Sequence, residues 1–163
     1  MSTTEIYGIK SNGNVVAYES VQNSWLGGMH VWNTLNEKYG FGGSWVFGFY
    51  RTWDSFNKGV YEDYENVVLG STFSYAVVLK DDFEKLIDNF EKYHSFYPNS
   101  NFGEQIEVIN SMKTDDDIIG VAWCQTFVAD DLWDFSYDDK NEVIPYNIFK
   151  GDKHWNLFEN LVS

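Results

Sequence analysis

Residues 81–97 form the most regular amphipathic pattern in the chain, and they lie between two apolar segments. The side chains that recur at the i, i+3, i+4, i+7 spacing of a half-buried helix are Phe83, Leu86, Ile87, Phe90, His94 and Tyr97. Segments 73–79 and 118–126 are apolar and rich in β-branched or aromatic residues, so both are predicted to be strands. A helix that must bury one face beside two strands predicts a sheet with helices packed on it.

A β-hairpin followed by a helix is predicted at the start of the chain. Asn12-Gly13 separates two β-prone runs, which is a typical hairpin signal. The helix after it is predicted to be capped by Asn23 or Ser24 and to end at Gly40. Two consecutive glycines near its start predict either close backbone contact or an irregular first turn.

The remaining segments complete the predicted fold. We expect a buried strand at 45–50, a mostly irregular excursion at 51–72 and a helix at 101–112. A hairpin turn is expected about 138–141, and a final helix after Gly151. The order predicts the α+β class, with a small antiparallel or mixed sheet and three to four helices packed on it.

Length and composition limit the class of protein. A chain of 163 residues with 44% hydrophobic residues is expected to form one domain with an ample core. No apolar run approaches the roughly 20 residues that cross a bilayer. The first residues do not read as a signal peptide, and the lone Cys124 has no partner for an intramolecular disulfide. We therefore expect a cytoplasmic protein, in a host cytoplasm if a phage encodes it.

The charge is strongly one-sided. The chain has 25 acidic residues against 11 basic ones, a formal net charge of -14, and the acids are densest in residues 115–142. We predict that this segment contacts a basic protein partner, with Trp133 as an aromatic anchor. An alternative role for Trp133 is to hold the segment against the rest of the protein by packing. The predicted contact residues are Asp115, Asp116, Asp117, Asp130, Asp131, Trp133, Asp134, Asp138, Asp139 and Glu142.

The sequence contains no recognisable catalytic or metal-binding pattern. His30, His94 and His154 are not at metal-ligand spacing, and His94 is expected to be half-buried in the core. Cys124 lies in an apolar strand just before the acidic segment, so we expect a buried, unreactive thiol. No phosphate-binding loop or nucleophile motif occurs. We therefore expect no enzyme, no cofactor and no metal.

These features favour a non-enzymatic binding protein whose carboxylates replace phosphates in a basic, nucleic-acid-binding groove of a partner. An inhibitor of restriction or CRISPR nucleases, carried by a phage or mobile element as a DNA mimic, fits this expectation. An immunity protein that neutralises a toxic nuclease is an alternative with the same physics. A protein that sequesters a nucleotide between aromatic rings is another, and it would need Arg51 or lysines at the pocket. A hydrolase with carboxylate catalysis is a third alternative. Direct nucleic-acid or membrane binding is not expected.

Overall fold

A computed structural model describes residues 2–42, 45–126, 132–151 and 153–157, with the backbone alone for 45–48. These residues form a mixed α+β fold, which confirms the predicted class. The main sheet has five strands in the order β2-β1-β4-β3-β6, and a second sheet pairs β5 with β7. The strands are β1 (Thr3–Lys10), β2 (Val15–Gln22), β3 (Ala76–Leu79), β4 (Ile118–Thr126), β5 (Trp133–Phe135), β6 (Tyr146–Asn147) and β7 (Trp155–Leu157).

The main sheet is mixed because one of its pairings is parallel. β1 pairs antiparallel with β2 and β4, β4 pairs antiparallel with β3, and β3 pairs parallel with β6. The described part of the chain holds six α-helices, two more than the upper limit expected from the sequence. They are α1 (Asn23–Leu26), α2 (Gly28–Tyr39), α3 (Trp45–Asn57), α4 (Asp63–Gly70), α5 (Phe83–Phe96) and α6 (Gly103–Lys113).

The hairpin between β1 and β2 forms as predicted. Its turn closes with the Lys10 N–H donating to Asn14 O at 2.8 Å and the Gly13 N–H donating to Lys10 O at 2.9 Å. Gly13 has φ of +88°, a left-handed conformation that glycine adopts without steric cost. The Asn-Gly signal therefore identified both the turn and the residue that requires it.

The first helix breaks where its two glycines lie. A Cβ on Gly27 would lie 2.5 Å from both Asn23 Oδ1 and Thr4 Oγ1, so only glycine fits there. The Gly28 N–H donates to the same two oxygens, at 3.0 Å and 2.9 Å. Close backbone contact and an irregular start thus occur together, and Gly40 ends α2 in the left-handed conformation as predicted.

Helix α5 confirms the amphipathic pattern with one change. Phe83, Leu86, Ile87 and Phe90 are buried, but Tyr93 continues the buried face and His94 is exposed. The expectation of a half-buried core histidine is therefore wrong. Positions i+3 and i+4 both satisfy the helical pattern after Phe90, and the larger apolar surface of tyrosine makes it the better core residue.

Segment 45–72 is mostly helical, which corrects two predictions. The expected strand at 45–50 is the start of α3, which buries Phe49 and Trp53 at i, i+4 spacing. The expected irregular excursion contains the rest of α3 and α4. Helix α4 begins with a reciprocal capping box between Glu62 and Glu65. Residues 45–50 concealed the helical period because none of them carries a charge to mark a polar face.

The end of the chain is also different from the prediction. Where a final helix was expected, Trp155–Leu157 is a strand that pairs with Trp133–Phe135. Residues 158–163 lie outside the described residues. A run of apolar residues this short fits a strand as well as a helix, and pairing with β5 decides between them.

Tryptophans dominate the buried core. The ring centroid of Trp53 lies 6.2 Å from that of Trp32, 5.2 Å from that of Trp133 and 5.5 Å from that of Trp155. All four side chains are at most 4% exposed. Trp53 lies in the segment expected to be irregular and Trp133 in the acidic segment, yet both belong to this cluster. Trp25, by contrast, is 68% exposed.

Candidate functional site

The two faces of the main sheet have different surroundings. Ile6, Val78 and Val121 face inward and belong to the same buried cluster as the helix residues. The alternate residues of the strands, such as Tyr7 and Ile9, are only partly buried. This second face is hereafter the outer face.

A groove of about 550 Å³ runs across the outer face and is called the sheet-face groove. Glu142, Val143 and Pro145 border it along the chain segment that precedes β6. The four longest strands supply the floor through side chains that are mainly apolar, namely Tyr7, Ile9, Val15, Val77, Ala122 and Cys124. Val15 is 59% exposed, so the apolar surface is open to solvent.

Tyr75 stands at the border of the groove in a strained backbone conformation. Its φ is +70°, which is rare for a bulky residue, and its side chain is 45% exposed. The Tyr75 N–H donates to Trp123 O at 2.9 Å, and its carbonyl accepts from the Tyr146 N–H at 3.1 Å. The sheet therefore imposes the strain, and the result is an aromatic ring presented beside the groove.

The first acidic turn, residues 115–117, is tied to the hairpin turn whose Gly13 lines the groove. Asp117 O accepts the Ser11 N–H at 3.0 Å, and the Tyr18 hydroxyl donates to Asp115 Oδ2 at 2.9 Å. The Tyr18 hydroxyl and then the Asp117 backbone N–H lower the pKa of Asp115. Asp116 and Asp117 are exposed, so this turn presents negative charge at the end of the sheet, beside the turn between β1 and β2.

The second acidic turn, residues 138–142, is a hairpin turn in the predicted place. Asp138 Oδ1 accepts hydrogen bonds from the backbone N–H groups of Lys140 and Glu142, both at 2.9 Å. Tyr137 and Val143 form an isolated antiparallel β-bridge. Asp139 and Glu142 are exposed, and Glu142 lines the groove. Of the two acidic turns, the second therefore borders the groove, and the first lies beside the hairpin turn at the end of the sheet.

The other predicted contact residues lie elsewhere. Asp134 is exposed on β5, in the small sheet. Trp133 is 4% exposed and belongs to the tryptophan cluster, so its role is to pin the segment to the body, the alternative weighed above. Asp130 and Asp131 lie outside the described residues.

Cys124 is half-buried on the floor of the groove rather than fully buried as expected. Burial, followed by the nearby Glu5 carboxylate, raises the pKa of its thiol. A hydrogen bond to Glu5, together with partial burial, raises the pKa of Tyr7 to about 12. Both groups are therefore neutral near pH 7, which leaves the floor uncharged. Low reactivity of Cys124 stays a prediction.

Sequence reasoning missed the groove itself. Strand β1 carries apolar residues on both faces, with Ile6 inward and Tyr7 and Ile9 outward. In a sheet with one solvated face, the outward positions are normally polar. The apolar residues at outward positions of β1 were therefore the available signal that the outer face is partly apolar.

Among the described residues, no group of three His, Cys, Asp or Glu side chains is placed to hold a metal ion. Within the same residues, no helix has the length and apolar character to cross a membrane. Comparison with protein-family models, with curated proteins and with solved structures finds no match to the chain.

Proposed function

We propose that the protein is a non-enzymatic binding protein that uses the outer face of its sheet to occupy a basic, nucleic-acid-binding groove of a partner protein. Its carboxylates take the place of phosphates at the partner's lysines and arginines. Inhibition of a nuclease of a restriction or CRISPR system by a phage or mobile-element protein is the setting that this chemistry fits best.

One observation carries the proposal: an open apolar groove has an acidic hairpin turn, residues 138–142, on its border. Protein interfaces characteristically have an apolar, desolvated centre and a polar rim. Contiguous exposed apolar surface on a soluble protein commonly marks a binding site. The apolar floor around Tyr7 and Ile9 would supply the centre, and Glu142, with Asp139 of the same turn, would supply the rim.

The sign of the charge favours a basic partner. No lysine or arginine is among the described residues that line the groove, so an anionic ligand would find no counter-charge there. Arg51, one of the basic residues that the nucleotide hypothesis could use, donates its Nη1–H to Phe41 O instead. A net charge of -14 steers basic partners toward the protein and repels nucleic acid.

Site-specific photo-crosslinking tests the proposal. A benzophenone amino acid replaces Tyr75 at the groove, and in a control variant it replaces Trp25, an exposed aromatic outside the groove. Each variant is mixed with proteins of the producing cell that bind heparin, a polyanion. We expect a basic nucleic-acid-binding protein to crosslink at position 75, with duplex DNA and added salt suppressing the reaction. Equal crosslinking at position 25, or crosslinking at position 75 that DNA and salt leave unchanged, would contradict the proposal.

A further inference from the structure

A second hollow, of about 280 Å³, lies on the helical side of the molecule and shares no residue with the sheet-face groove. Helices α2, α4 and α5 and the residue after α5 form it. Four aromatic side chains line it, and it also holds two carboxylates and one lysine. The aromatic residues are Tyr39, Tyr64, Phe96 and Tyr97, and the charged residues are Lys38, Glu62 and Glu65.

Glu65 lines the hollow with a side chain that is almost completely buried. Its residue is 1% exposed, and its oxygens accept hydrogen bonds from the Tyr39 hydroxyl at 2.6 Å, from the Tyr97 hydroxyl and from the Glu62 N–H at 3.0 Å. Burial, and then the bond to Glu65, raises the pKa of both tyrosines, which keeps them neutral donors. These bonds satisfy the oxygens but bring no positive charge.

No basic side chain pairs with Glu65. Among the described residues, no lysine, arginine or histidine nitrogen lies within 4.0 Å of its carboxylate. A buried carboxylate normally has an ionic partner because desolvation of a lone charge is costly. The hollow therefore combines a buried carboxylate that makes no direct ion pair with enough space for a small group.

The aromatic rings around Glu65 have the composition of a cation-binding cage. The Tyr64 and Phe96 rings stack with centroids 5.0 Å apart, and Tyr93 and Tyr97 lie 4.5 Å apart. The Lys92 ammonium already lies 5.4 Å from the Tyr64 ring centroid, at the distance of a cation–π contact. Aromatic rings that surround a carboxylate recognise ammonium groups by this interaction.

We propose that this hollow binds an alkylammonium group, either of a small quaternary amine or of a methylated lysine side chain. The rings would contact the cation's alkyl groups, and Glu65 would supply the opposite charge. Lys38 lines the same hollow and would repel the ligand. The inference goes beyond the proposed function, since it rests on different residues and on the opposite layer of the fold.

Calorimetric titration of the full chain tests the proposal with three probes. They are tetramethylammonium, a peptide containing trimethyllysine, and 3,3-dimethylbutanol as the neutral isostere of choline. We expect saturable binding of the cations with Kd of about 1 mM or below and no binding of the alcohol. Equal affinity for the two cations would identify small amines as ligands, and a preference for the peptide would identify a protein side chain.

Three variants report on the cage, and Trp25→Ala serves as the matched control. Phe96→Ala removes a wall that is 60% exposed, so the fold should persist, and affinity should fall about 5-fold or more. Lys38→Gln should raise affinity about 2-fold or more by removing the like charge. Glu65→Gln keeps the capping box and should abolish most binding.

Two results would overturn the proposal. One is binding of the neutral alcohol as tightly as of the cations. The other is the absence of saturable cation binding at about 10 mM, since the arrangement would then be purely structural. If Glu65→Gln fails to fold, the Phe96→Ala and Lys38→Gln variants still decide the question, because unchanged affinity in both contradicts the cage.

Discussion

The ring of Trp133 meets the ring of Trp53 edge to face, with centroids 5.2 Å apart and planes at 88°. This is a favoured arrangement for aromatic pairs. The contact joins strand β5 to helix α3. The aromatic residue Trp133 thus belongs to the core, while the neighbouring Asp134 is exposed.

Replacing Trp133 with alanine should destabilise the protein by about 3–5 kcal/mol, because a fully packed aromatic side chain leaves a cavity. Replacing the exposed neighbour Asp134 with alanine should change the unfolding free energy by less than about 0.5 kcal/mol. Urea denaturation of both variants measures the difference. Similar small losses in both would mean that Trp133 is not part of the core.

Replacing Phe90 with alanine should also cost about 3–5 kcal/mol, since Phe90 is buried and stacks on Phe102 with centroids 4.8 Å apart. His94 lies one turn further along α5 but is exposed, so His94→Ala should cost less than about 0.5 kcal/mol. The same denaturation experiment applies. A cost for His94→Ala equal to that for Phe90→Ala would contradict the assigned helix face.

Local patterns with a defined geometry predicted much of the fold. The Asn-Gly turn, the stop at Gly40 and the period of α5 follow from backbone sterics and from burial of one face, and all three are confirmed. Prediction failed at α3, whose first six residues show no polar position to mark a period, and at β7, which has only three residues. Tertiary contacts decide whether such segments become helix or strand, and local sequence patterns do not reveal those contacts.

The candidate site was predictable only in part. The acidic turns were visible as charge, but the placement of the second turn beside the groove depends on strand order, which puts β6 next to β3. Tyr75 gave no signal, because its positive φ arises from the sheet pairing on both of its sides. Trp133 was misjudged as an anchor because charged neighbours suggested exposure. Formation of one domain stays a prediction.

Replacing Tyr75 with glycine should separate stability from binding. The strain of a bulky residue at positive φ costs on the order of 1–3 kcal/mol, and the lost ring contact with Phe135 is worth about 0.5–1.5 kcal/mol. The unfolding free energy should therefore stay constant or rise by about 1 kcal/mol. Affinity for a partner should fall by about 2 kcal/mol, as for an interface anchor. A stability loss above ~2 kcal/mol would show a purely structural tyrosine.

Stability should fall above about pH 10, because tyrosines ionise more easily in the unfolded chain than in the folded one. Burial raises the folded-state pKa of Tyr39, Tyr61, Tyr93 and Tyr97. A raised folded pKa means that the stabilisation is complete below the unfolded pKa and is lost as the pH rises toward the folded one.

Urea unfolding from neutral to alkaline pH, with tyrosinate absorbance as a second signal, measures this loss. The double variant Tyr39→Phe, Tyr97→Phe should show a shallower decline, and Tyr137→Phe, at an exposed position, should match the wild type. A constant unfolding free energy through pH 11 would contradict the burial of these hydroxyls.

The central claim is that carboxylates around the sheet-face groove compete with nucleic acid for a basic partner. Asp116→Asn, Asp139→Asn and Glu142→Gln together remove three charges from exposed positions in the two acidic turns. The matched control, Asp88→Asn, Glu91→Gln and Glu107→Gln, removes three exposed charges from α5 and α6. Both variants have the same net charge, so any difference between them reports position rather than total charge.

The deciding measurement is the dissociation constant of the partner crosslinked at position 75, determined against salt and with duplex DNA as competitor. We predict that the groove variant binds at least about 10-fold more weakly, a loss of about 1.4 kcal/mol, while the control stays within about 2-fold of the wild type. DNA should displace the wild type competitively, and affinity should fall as salt rises. Equal weakening in the two variants, or simultaneous binding of DNA and protein to the partner, would contradict the account.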